Sequence, residues 1–216
     1  MIINTEFSGK FTLESLSNPY NEGIWAKSAE EIPSAIRNRP KNKFPSGIVF
    51  WCGISYECLF PKNGPFDVTS WLQKQVRDKS RKKNYMNSHL YGKFIKEIGY
   101  KEIQNVCRRN FIFQDDADTK QRTKIVLETI DELFSDRISP QECDAKFADV
   151  WSIENVWEIL KEKICGEQFS SFQQLKNRLN KEWKKITYDD CKKMIDEIPE
   201  RLNEMIKSGG EQIHQS

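Results

Sequence analysis

The run FIFQDD at residues 111–116 constrains the fold more than any other segment of this chain. Three apolar residues, Phe111, Ile112 and Phe113, lead through Gln114 into the carboxylates Asp115 and Asp116. A short β-rich run of this kind predicts a buried strand that carries charge to the edge of a sheet. A chain that buries such a strand needs neighbouring strands and a covering layer, so an all-helical fold is excluded.

After 37 intervening residues Asp116 is followed by Glu154, within the segment DVWSIENVW at 149–157. Ile153, Val156, Trp157 and Leu160 repeat at helical spacing, which places Glu154 in the first turn of a helix. Carboxylates brought together from two different elements suit Mg²⁺ or Mn²⁺, because these hard cations take oxygen ligands. Such ions activate water and stabilise a leaving oxygen in phosphodiester cleavage. The same residues also admit a purely structural role. Asp115 and Asp116 could cap the following helix, as Asp118 or Thr119 could, and Glu154 could be a first-turn carboxylate favoured by the helix dipole.

The rest of the chain alternates strands and helices. KFTL and GIWAK, within residues 7–27, read as strands joined by the turn-rich SNPYNEG. Residues 28–43 form a basic connection, residues 48–55 a central strand, and 56–60 a second one. Residues 87–106 carry helical periodicity. Residues 119–134 do so as well, with Ile125, Val126, Ile130 and Leu133 on one side. Three helical stretches follow, at 153–164, 172–186 and 189–206; Pro199 should kink or split the last, and Gly209–Gly210 should end it. The fold class is α/β with a helical carboxy-terminal end.

Across 216 residues, 34 basic side chains nearly balance 32 acidic ones, a net charge of +2. A core of useful size fits this length. No apolar run reaches eighteen residues, and the start MIINTEFSGK carries no secretory pattern, so neither a membrane span nor a signal peptide is expected. Six cysteines without a CxxC pair, and only two histidines, argue for reduced thiols and against zinc. Cys165 and Cys191 are expected on apolar helical faces. The six tryptophans, Trp25, Trp51, Trp71, Trp151, Trp157 and Trp183, read as core or interface groups, and His89 as a surface residue. Two basic clusters stand out: Arg37, Arg39, Lys41 and Lys43, then Lys79, Arg81, Lys82 and Lys83. On charge balance alone they read first as solvated loops and only second as contacts to nucleic-acid phosphates.

These segments together resemble the catalytic domain of Tc/mariner-type transposases. The strand motif of that family, roughly FQQDxDPKHT, appears here as FQDDADTKQRT, and its SPDLNPIENLW helix motif as FADVWSIENVWEILK. KFPSGIVFWCGIS resembles the family's VMVWGCIS strand, and MNSHLYGKFI its MNSxxYxxIL helix. The segment from Phe169 resembles the family's helical ending, so the resemblance covers roughly residues 10–210, in the family's order. The spacing between Asp116 and Glu154 is similar to that of a long-spaced branch.

The resemblance implies an RNase H-like fold, a mixed central sheet flanked by helices. Residues 1–168 would form the catalytic domain, 64–85 an insertion, 169–210 its helical end and 211–216 a disordered tail. It implies Asp116 and Glu154 as catalytic, metal-holding positions for Mg²⁺ or Mn²⁺. DNA becomes the partner, through the two basic clusters, with a nuclear location, and a homodimer is allowed. The family's first catalytic Asp has no counterpart: aligned registers put Thr5 or Phe7 there, and Glu6 offers a carboxylate one methylene longer. The family's His is Gln121, its turn Pro is Ser152, and its amino-terminal DNA-binding domains are not in this sequence. The expectation is a transposase-derived domain with DNA cleavage and transfer in its ancestry and activity lost. The alternative is a domesticated module that binds nucleic acid or protein.

Overall fold

The computed structural model describes residues 1–13, 28, 46–75, 85–107, 110–116, 118–139 and 150–210. β-Branched residues and a run of three buried positions, Ile3 to Thr5, make Ile2–Phe7 (β1) the middle of a mixed sheet. β1 pairs antiparallel with Phe50–Ser55 (β4) on one side, with Glu6 opposite Cys52. On the other side it runs parallel to Ile112–Gln114 (β7), with Asn4 opposite Gln114. Leu59–Phe60 (β5) and Phe66–Asp67 (β6) both pair with β4. Outside β7 the chain returns in a parallel bridge, where Phe113 N–H donates to Asp136 and Ile138 N–H to Phe113. Phe11–Thr12 (β2) and Gly47–Ile48 (β3) form a separate small ribbon.

The period-two alternation of a strand divides the core between the two faces. Ile3, Trp51 and Phe60 pack with the helical stretch Ser88–Val106 and with Lys124–Leu133 (α4). That stretch comprises Ser88–Phe94 (α2), a π-helical turn Ile95–Gly99, and Tyr100–Val106 (α3). Cys52, Ile54 and Leu59 pack on the other face with Ser152–Lys163 (α5), Phe172–Trp183 (α6) and Tyr188–Asp196 (α7). Gly53 lies on the Phe60 face, and a Cβ there would come within 2.1 Å of the Phe60 ring, so only glycine fits.

Several expectations are refined. The strand expected over 48–55 is broken at Val49, whose carbonyl caps Val68–Lys74 (α1) by accepting from Val68 N–H. Part of the segment expected as an insertion is built into the core. Val68, Trp71 and Leu72 of α1 are buried, and Trp71 and Phe66 both pack on Phe94. α4 starts only at Lys124, which leaves Ile125 exposed while Val126 and Ile130 are buried. Cys191 is buried as expected, but Cys165 is exposed, because α5 has ended at Lys163 and Cys165 sits in the turn that follows. The last helical stretch is split: α7 ends at Asp196, and Ile198–Lys207 (α8) takes Pro199 into its first turn. Gly209 and Gly210 then adopt positive φ and end it.

Trp51, Trp71, Trp157 and Trp183 are buried, Trp151 is half-buried, and His89 is exposed. Trp25, Cys143, the GIWAK strand and the tail 211–216 lie outside the described residues. No described helix is long and apolar enough to cross a membrane.

Candidate active site: carboxylates at the ends of two strands and a helix

The two adjacent aspartates after β7 have different surroundings. Asp115 is buried, accepting from Arg137 Nη2 at 2.7 Å and from the Tyr91 hydroxyl at 2.5 Å. Burial outweighs Arg137 and Tyr91 and holds its carboxyl above the usual range. Gln121, at the position of the family's histidine, is also buried and accepts from Asp118 N–H at 3.0 Å. Asp115, Tyr91, Arg137 and Gln121 thus form a supporting layer. Asp116, one residue on, is exposed at the edge of the sheet.

Glu154 sits in the first turn of α5, where its N–H reaches the Trp151 carbonyl at 3.2 Å. Ile153 and Trp157 anchor the helix in the core, and Ser152 donates its hydroxyl to the Met194 carbonyl at 2.7 Å. The helix axis therefore points its positive end at the carboxylates, a favourable field for negative charge.

The third acidic group is Glu6. Extending the β1–β7 ladder two residues beyond Asn4 and Gln114 brings Glu6 abreast of Asp116. Thr5 is buried with its hydroxyl on the Gln114 carbonyl, and Phe7 packs against Tyr91 and Phe94. Neither flanking residue can face the cluster. Glu6 hydrogen-bonds Glu154 and feels the charge of Asp116. Burial first, then Glu154, push its carboxyl up to about 9, with Lys161 opposing weakly. Glu154 is raised as well, by burial first. Burial and the neighbouring Glu154 together favour the protonated form of Glu6.

The fit of a divalent cation can be judged on the side chains themselves. Glu6 Oε2 is buried and has no hydrogen-bond partner, so one acceptor points into the cluster unsatisfied. All three groups offer only oxygen, as Mg²⁺ and Mn²⁺ require. Among the described residues, however, no three donors already converge into a cation's coordination shell.

One further side chain touches all three elements. Asn4 donates through Nδ2 to Gln114 Oε1, and its Oδ1 accepts from Ile153 N–H at 2.8 Å. Sequence reasoning discounted Glu6 and passed over Asn4. Their common face was legible from alternation along β1; their neighbours across the sheet were not. Arg37, Arg39, Lys41, Lys43, Lys79, Arg81, Lys82 and Lys83 all lie outside the described residues.

The sheet order, the helices on both faces and the carboxylates at one sheet edge define an RNase H-like domain. No protein-family model matches the chain. It is 29% identical over 159 residues to the Tc1 transposase of Caenorhabditis elegans, covering 72% of this chain and 57% of that protein. The Mos1 strand transfer complex superposes with a TM-score of 0.68 at 13% identity, covering 99% of this chain and 56% of that one. The catalytic domain of Mos1 mariner transposase gives 0.65 at 10% identity, over 99% of this chain and 84% of that one. In sequence the chain is similar to a Tc1 transposase, and in fold to the catalytic domain of a mariner transposase. It spans little more than half the length of the Tc1 transposase it matches.

Proposed function

We propose that this domain acts on DNA phosphodiester bonds, with Glu6, Asp116 and Glu154 as the residues that would hold Mg²⁺ or Mn²⁺. The observation that carries this reading is the buried Glu6 carboxylate, which lies within reach of the charges of Glu154 and Asp116 and leaves its Oε2 without a hydrogen-bond partner. Mos1 paired-end complexes with Mg and with Mn support the choice of ion. A divalent ion bound here would supply activation of water and stabilisation of the leaving oxygen. The chain's own residues do the rest: Asp115 and its partners fix the end of β7, and α5 presents Glu154. The extra methylene of Glu6 shifts its carboxylate relative to an aspartate, so cleavage is expected to be weak.

DNA as the partner, a nuclear location and pairing of two copies at DNA ends follow from the same reading. Mn²⁺-dependent nicking of supercoiled DNA tests it. Asp116→Ala and Glu154→Ala should abolish nicking, and Glu6→Asp should raise it at least several-fold. If wild type and Glu6→Asp both fail to nick and neither binds Mn²⁺, the reading is wrong. The absence of three converged donors among the described residues favours a second reading, a module that binds nucleic acid or protein without cutting. Salt-dependent DNA binding with no nicking by Glu6→Asp would select it.

A further inference from the structure

We infer that Asn4 and Gln114 are positioning residues: a buried pair of carboxamides that sets the mutual placement of the three acidic side chains. The inference rests on the reading of Glu6, Asp116 and Glu154 as one site. Its basis is the path of three hydrogen bonds. Asn4 Nδ2 donates to Gln114 Oε1, Gln114 Nε2 donates to the Asp115 carbonyl at 2.8 Å, and Asn4 Oδ1 accepts from Ile153 N–H. Both amides are buried, 1% and 2% exposed, so nothing in solvent replaces a lost partner.

Each contact lies one or two residues from an acidic group. Glu6 is two residues along β1 from Asn4, on the same face of the strand. Asp116 is two residues beyond Gln114. Glu154 follows Ile153 directly. The contact to Ile153 has a second meaning. The first N–H groups of a helix need acceptors from outside it. The N-cap residue of α5, Trp151, offers no side-chain acceptor. Asn4, some 149 residues away in sequence, takes that role from another element. Without it the first turn of α5 is free to fray, and Glu154 is in that turn.

The two amides do not touch the cluster's reacting region, so their effect is felt through the residues they hold. Groups that orient metal-holding side chains from behind typically change metal affinity by about 10–100-fold when removed. The experiment measures Mn²⁺ affinity by calorimetry and stability by urea unfolding, with amide hydrogen exchange resolved by residue. It compares wild type, Asn4→Ala, the near-isosteric Gln114→Met and, as a remote destabilising control, Thr187→Ala. Gln114→Met keeps the test open if Asn4→Ala fails to fold.

Both amide variants should weaken Mn²⁺ about tenfold or more, while Thr187→Ala loses stability and keeps its affinity. In Asn4→Ala the amides of Ile153 and Glu154 should lose protection selectively. Unchanged affinity in both amide variants, or an equal loss in Thr187→Ala, overturns the inference. If neither wild type nor Glu6→Asp binds Mn²⁺ or nicks DNA, the proposed function falls and exchange decides the clamp by itself. Loss of protection confined to Ile153 and Glu154 then upholds it, and retained protection overturns it.

Discussion

Successive residues at a strand end face opposite ways, and Asp115 and Asp116 show how far that separates two identical side chains. Asp115 turns inward to Arg137 and Tyr91, and Asp116 is exposed at the sheet edge. Sequence patterns singled out Asp116 and Glu154 because both sit in dense motifs. Glu6 was not legible in the same way. Its significance depends on a parallel neighbour more than a hundred residues away, and motif alignment along β1 favoured Thr5 or Phe7. The glutamate pair predicts a pH effect. Glu6 titrates at about 9 in the folded chain against an ordinary 4.5. Between those values the folded state holds a proton that the unfolded state has released, so stability falls as pH rises through that window and levels off above it. In metal-free buffer, urea midpoints should decline from pH 5 to pH 9 in wild type. The slope should be much flatter in Glu6→Gln, whose neutral amide has no proton to lose.

Helix boundaries followed local chemistry, and the misreadings have local causes. α7 begins with a full capping box, in which Thr187 Oγ1 accepts from Asp190 N–H and Asp190 Oδ2 accepts from Thr187 N–H at 2.7 Å. α5 has no such signal in its own sequence, since its cap comes from β1. α4 also lacks a side-chain cap, and its late start leaves Ile125 outside the apolar face. The two kinds of element support differ in size. Thr187→Ala should cost about 1 kcal/mol, the usual value of an N-cap. Trp157→Ala, which empties a site touching Phe11 and the face formed by β4, should cost about 3–5 kcal/mol. Urea unfolding of both variants at one pH checks the ranking, and a reversal would mean that α5 is held by its ends and not by its buried face.

At the scale of the whole molecule, the α/β class was legible from alternating patterns, but the sheet order was not. Periodicity says which residues face a core; it does not say which strand lies beside which. The order β5-β4-β1-β7 places the earliest strand inside the sheet, between β4 and β7 from later in the chain. The resemblance to a known family supplied a mixed central sheet flanked by helices, and the strand order within it came only from the structure.

That interior placement of β1 also governs when the site comes into being as the chain folds. Its contacts span 110 residues to Gln114 and 149 to Ile153, so they close long loops and belong among the slow, late events of folding. A partly folded chain carries the acidic residues but not their convergence. On the proposed reading, a divalent cation would have nothing to grip until the last docking step. Mn²⁺ should therefore slow unfolding in stopped-flow experiments while leaving the refolding rate nearly unchanged, the signature of an interaction made after the transition state. A matching acceleration of refolding would place β1 in the folding nucleus, with the ion acting as an early template instead of a late lock.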